Sequence, residues 1–180
     1  MTESLFFALQ PDVAAITQIN EVTAALRTQH DLSARFISAD RLHVTLHFVG
    51  DLAAISQEQL DSAHAAAAAI KLPAFDVSFD KVLSFRSAKA ERPLVLASSS
   101  SMNPLQLFRY ELGDSLRRRG IPAEKTTFTP HITLSYDEYK VEEEVLVAPV
   151  KWTAREFVLI KSFVGKSRYE VLGRWPLGAA

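Results

Sequence analysis

The chain has 180 residues, 48% of them apolar, and its 20 basic and 21 acidic side chains give a formal net charge of −1. That balance excludes a protein that coats nucleic acid through bulk charge, but it leaves room for a local basic cleft. The chain has no cysteine, so disulfides, thiolate metal sites and cysteine nucleophiles are excluded, and a reducing cytoplasm is the expected setting.

No apolar stretch is long enough to span a bilayer. The leading Met1-Thr2-Glu3-Ser4 carries no basic residue ahead of a long apolar run, so no signal peptide is expected. Leu5 to Leu9 reads as a short buried strand stopped by Pro11. A helix is predicted from Asp12 to Thr28, with Val13, Ile16, Ile19, Thr23 and Leu26 near helical spacing. Arg41 to Gly50 reads as a strand. Ser56, with Gln59 three residues on, has the pattern of a capped helix start; that helix should run through the alanine block to Lys71, ahead of Pro73. Ala74 to Phe85 reads as a strand, and 86–92 as a basic loop. The order then repeats. Pro93 to Ser99 is a strand, Asn103 is the expected cap of a helix with Pro104 at its first position, and Gly120 ends that helix. A strand around His131 follows. Two more strands, Glu156 to Val164 and Tyr169 to Trp175, close the chain.

The chemistry lies in a tripeptide that occurs twice: His43-Val44-Thr45 and His131-Ile132-Thr133. On a strand, side chains at i and i+2 share a face. His43 and Thr45 should therefore point opposite to Leu42, Val44, Leu46 and Phe48, and His131 and Thr133 opposite to Ile132 and Leu134. Each strand then offers an imidazole beside a hydroxyl. Two imidazoles near neutral pKa suit general acid–base work, one taking a proton and the other giving one. Phosphoryl transfer without a metal needs that pair, and hydroxyls suit the non-bridging oxygens. A lone copy would more often be a solvated strand face; two copies in equivalent places of a duplicated chain point to catalysis.

Simple alternation also puts His47 on the face of His43 and Thr45. A shared metal is excluded there, because four residues of strand separate the two histidines by about 13 Å. A metal between His43 and His131 is geometrically possible, but no carboxylate or third histidine stands near either motif. No metal and no cofactor are expected.

These residues carry a resemblance that spans nearly the whole chain. Phe6-Phe7-Ala8-Leu9 before Pro11, His43-Val44-Thr45-Leu46 running to Phe48-Val49-Gly50, Phe128-Thr129-Pro130-His131-Ile132-Thr133-Leu134, Tyr169-Glu170-Val171-Leu172 and Trp175-Pro176-Leu177 resemble the two-histidine (2H) phosphoesterase superfamily. Within it, the likeness is to the RNA 2′,3′-cyclic phosphodiesterases, historically called 2′-5′ RNA ligases. The resemblance implies an α+β fold: one domain over 1–180 made of two intertwined lobes with pseudo-two-fold symmetry. Two antiparallel sheets would line a central cleft, with helices outside. It further implies metal-free opening of an RNA-terminal 2′,3′-cyclic phosphate to a 2′-phosphomonoester. His131 would activate water, His43 would protonate the 3′-oxygen, and Thr45 and Thr133 would hold the phosphate.

Members often carry an arginine near the place of Ser135 and Tyr136, and a lysine where His47 stands; this chain has neither. Further candidates for substrate contact are His47, Phe128, Ser135, Tyr136, Arg86, Lys166 and Arg168. RNA ends or small cyclic-phosphate nucleotides are the expected partners, with no membrane and no obligate protein partner. The competing readings are a phosphodiesterase of 2′-5′-linked oligonucleotides or of a cyclic nucleotide metabolite, and an RNA-end-binding or ligating protein.

Overall fold

A computed structural model describes residues 3–125 and 127–178. The strands are β1 (Glu3–Leu9), β2 (Val44–Asp51), β3 (Phe75–Ser84), β4 (Arg92–Ala97), β5 (His131–Asp137), β6 (Glu144–Ala154), β7 (Glu156–Phe163) and β8 (Arg168–Pro176). The helices are α1 (Val13–His30), α2 (Gln57–Ala68) and α3 (Asn103–Arg117). Among the described residues, no helix is long and apolar enough to cross a membrane.

Where two sheets were expected, the strands form one eight-stranded sheet in the order β6-β3-β4-β5-β2-β1-β7-β8. All its pairs are antiparallel. Its two halves meet at a waist, because β2 and β5 are paired only at Val44 and Ile132. Outward from the waist, β2-β1-β7-β8 mirrors β5-β4-β3-β6. The last two strands return to complete the half that the first two began.

One sheet face carries Leu5, Phe7, Leu9, Val44, Leu46, Leu94, Leu96, Ile132 and Leu134 into the main core. There they meet α1 through Ile19 and α3 through Leu105, Phe108 and Leu112. On the opposite face Phe6, Ala8, Val158 and Ile160 form a smaller cluster under Tyr169 and Val171. Strands buried on both faces explain why β1 reads as a continuous apolar run rather than an alternation.

Local chemistry accounts for most element ends. Asp12 caps α1 by accepting the Ala15 N–H at 2.8 Å. Ser56 and Gln59 form a reciprocal capping box on α2. The expected Asn103 cap is absent: Met102, in the left-handed region at φ 42°, precedes the helix, and Asn103 is its first residue. The Asn103 side chain instead accepts from the Ser101 hydroxyl at 2.6 Å. Strand β6 lies outside the sequence reading. Its register against β3 jumps between Lys81–Val145 and Phe79–Val150, and Pro149 sits in the excursion. A proline without an N–H is tolerated at such an irregularity on an edge strand.

Candidate active site

The waist places the two motifs side by side. Extending the antiparallel register from Val44–Ile132 sets His43 next to Thr133 and Thr45 next to His131. The histidines then occupy the diagonal of this array, about 7–8 Å apart at the backbone.

Both rings are held alike. His43 Nδ1 is 2.7 Å from the Arg41 carbonyl, and His131 Nδ1 is 2.8 Å from the Thr129 carbonyl. In each case the carbonyl lies two residues upstream and makes Nδ1 the donor. That leaves Nε2 of each ring to accept or deliver a proton. Each ring also rests against aromatics: His43 lies 4.9 Å from Phe6 and 5.5 Å from Tyr169, and His131 lies 5.0 Å from Phe85. Burial pushes the His43 imidazole below the ordinary histidine value. The Arg41 carbonyl works against that shift, while positive charge on His131 and Arg41 adds to it.

His47 does not share this face, and the reason is a β-bulge. Against β1, Ala8 pairs with Thr45 but Phe7 pairs with His47, so Leu46 is an extra residue. His47 therefore follows Phe7 toward the helices, where it is 4% exposed. Its Nε2 donates to the Arg109 carbonyl of α3 at 2.8 Å, and Arg109 Nε donates to the Leu46 carbonyl at 3.0 Å. Burial lowers the His47 pKa, with the Arg109 carbonyl opposing. The vacated place on the cleft face goes to Phe48, which pairs with Phe6 and is 56% exposed.

The second motif repeats the device. Val95 pairs with Thr133 and Leu94 with Ser135, so Leu134 is the extra residue. Ser135 turns inward and is fully buried, so it is not placed to touch substrate as expected. Tyr136 takes the cleft side at 53% exposure, equivalent to Phe48. The Ile37 N–H meets the Leu134 carbonyl at 2.7 Å, the counterpart of Arg109 on Leu46.

Beyond the waist, β2 and the segment before β5 diverge around a cavity of about 850 Å³. Thr45, Phe48, Phe85, Arg109, Phe128 and His131 are among its walls. Phe128 is thus brought to the site, with the Arg109 guanidinium 4.6 Å from its ring centre. Arg86 and Lys166 lie exposed on loops, and Arg168 is exposed at the start of β8. Arg168 packs 4.6 Å over Phe163, and none of the three is brought against either histidine among the described residues. The alternation of letters gave no sign of Phe48, Phe85 or Arg109: Phe48 reads as a core position until the bulge is counted.

The sequence and the fold have known counterparts. Residues 10–165 match the 2′-5′ RNA ligase superfamily. The chain belongs to that superfamily. The RNA 2′,3′-cyclic phosphodiesterase of Escherichia coli strain K12 is 30% identical over 187 aligned residues, covering 97% of each chain. Crystal structures of E. coli LigT, in apo form and complexed with 3′-AMP, superpose with TM-scores of 0.75 and 0.74 at 27% identity. They cover 98% of this chain, and 98% and 99% of their own. As a 2H phosphoesterase of the 2′-5′ RNA ligase superfamily, the protein is a hydrolase of α+β fold, and its paired motifs lie at the centre of the shared sheet.

Proposed function

We propose that the protein hydrolyses RNA-terminal 2′,3′-cyclic phosphates to 2′-phosphomonoesters, without a metal, through His43 and His131. The observation that carries this reading is the matched tethering of the two imidazoles at 2.7 and 2.8 Å, which makes Nδ1 the donor on each ring and leaves each Nε2 to exchange a proton. His131 Nε2 takes a proton from water as the water oxygen attacks phosphorus. The bond from phosphorus to the 3′-oxygen breaks in line with that attack, and His43 Nε2–H protonates the departing oxygen. The product carries phosphate at the 2′-position and a free 3′-hydroxyl. Solvent exchange then returns one proton to His43 and removes one from His131. The hydroxyls of Thr45 and Thr133 donate to the non-bridging oxygens. The cavity beside Thr45 and His131 has room for the attached nucleoside, with Phe48, Phe85 and Phe128 as apolar surfaces for a base.

A substrate panel tests the reading. A nucleoside 2′,3′-cyclic monophosphate and a cyclic-phosphate-ended oligonucleotide should both be opened, and a 2′-5′-linked dinucleotide should be cleaved far more slowly. Cleavage of the 2′-5′ linkage alone would move the activity to that substrate. Tight binding of RNA ends with no turnover would make the protein an end-binding module.

A further inference from the structure

As water adds to a cyclic phosphodiester, negative charge grows on the non-bridging oxygens. One imidazolium, one imidazole and two hydroxyls supply at most one full positive charge against it. Ser135 is buried away from the site and Tyr136 is uncharged, so β5 provides no cation beside Thr133.

Arg41 approaches that place from the other strand. It ends the short turn Ala39–Arg41, two residues before His43. Its carbonyl orients the His43 ring, while its side chain reaches a different neighbour. The guanidinium carbon lies 5.1 Å from the centre of the Tyr169 ring, the same ring that abuts His43. Arg41 also donates to the Tyr169 hydroxyl, and the Tyr136 hydroxyl is close enough to Tyr169 to influence it electrostatically. The Nε of Arg41 is buried without a hydrogen-bond partner. Four residues upstream, the Ile37 N–H donates to the Leu134 carbonyl at 2.7 Å, so the segment that carries Arg41 runs beside β5. The other nearby arginine is placed differently: Arg109 braces the Leu46 carbonyl from α3 and covers Phe128.

We propose that Arg41 is a phosphate-binding residue of this site. Its guanidinium holds a non-bridging oxygen next to Thr133, and the Tyr169 ring fixes its plane. This assignment rests on the cyclic phosphodiesterase reading above.

The test compares Arg41→Gln and Arg41→Lys in the full chain, with a nucleoside 2′,3′-cyclic monophosphate as substrate and rates taken from about pH 5 to 9. Arg41→Gln should lower kcat/KM by about 10²–10³, mostly in kcat, as for loss of one donor to developing charge. Arg41→Lys should recover part of this, because it keeps the charge and loses the planar fork. The limb of the pH profile set by His43 should also move to higher pH in Arg41→Gln, because a positive charge beside the imidazole is gone. An arginine that merely packs on Tyr169 would move that limb too, but would leave kcat on the plateau of the profile unchanged. Near wild-type plateau kcat in Arg41→Gln overturns the proposal, whether or not the melting temperature falls. Should Arg41→Gln fail to fold, Arg41→Lys decides: a tenfold or greater loss in kcat at unchanged melting temperature supports the proposal, and wild-type kcat overturns it. An inactive wild type would overturn the parent reading along with this one. An active wild type with an indifferent Arg41→Gln overturns this one alone.

Discussion

At the scale of single residues, His43→Ala and His131→Ala should each slow turnover by about 10²–10⁴, the usual contribution of a positioned acid or base. Thr45→Ala and Thr133→Ala should cost less, about 1.5–3 kcal/mol each for one hydrogen bond to a charged group. Circular dichroism should show all four variants folded, since these side chains are only half-buried and face the cleft. Wild-type rates in both histidine variants would end the assignment. The pH profile should be a bell, because the two rings must hold opposite protonation states. In the free enzyme burial lowers His43, so the limb of kcat/KM that needs its proton should fall below about pH 6.5. The bound phosphodiester anion favours the charged ring, so the corresponding limb of kcat should lie higher. Coincident limbs would contradict this. The motif histidines and threonines could be read from alternation alone. The inward turns of His47 and Ser135 could not, because Leu46 and Leu134 look like ordinary strand residues. Only pairing with β1 and β4 shows them to be the extra residues of bulges.

At the scale of elements, α3 is joined to β2 by a reciprocal clasp: His47 to the Arg109 carbonyl and Arg109 to the Leu46 carbonyl. Gly113, one turn further along α3, makes room for it. A Cβ there would come within 2.8 Å of His47 Nε2 and 2.9 Å of its Cε1. Gly113→Ala should therefore destabilise the fold by about 1–3 kcal/mol, the range for overpacking, although alanine is the better helix former. A urea titration that finds the variant more stable would show that the clasp is slack. The start of α2 at Ser56 was legible because the cap chemistry is local, whereas apolar spacing put Asp12 inside α1 rather than at its cap. The start of α3 differs by one residue: a left-handed Met102 precedes the helix without a side-chain cap, and Asn103 is the first helical residue. Strand β6 was missed because three glutamates lead into it and Ala148-Pro149 interrupts its alternation.

At the scale of the whole molecule, the repeated order of strand, helix and motif strand goes with a mirrored strand order on the two sides of the waist. The joining of the halves through Val44–Ile132 into one sheet did not show in the letters, because strand partners far apart in sequence leave no local mark. The same waist places two imidazoles, His43 and His47, where burial lowers their pKa. The unfolded chain then binds more protons than the fold as pH drops. Stability should be full above about pH 6.5 and should decline as pH falls below it. Urea midpoints measured across that range should show the decline, and His43→Gln, which leaves the core intact, should flatten part of it. A midpoint that rises toward acid would contradict the burial argument.

The central claim, that two opposed histidines open a cyclic phosphate toward the 2′-oxygen, is tested most directly by phosphorus NMR. A nucleoside 2′,3′-cyclic monophosphate would be incubated with the exhaustively chelated wild-type protein. The account predicts conversion to a single 2′-phosphomonoester at an undiminished rate, with that signal lost in His43→Ala and His131→Ala. A 3′-phosphate as sole product, or turnover that returns only with a particular divalent ion, would contradict it.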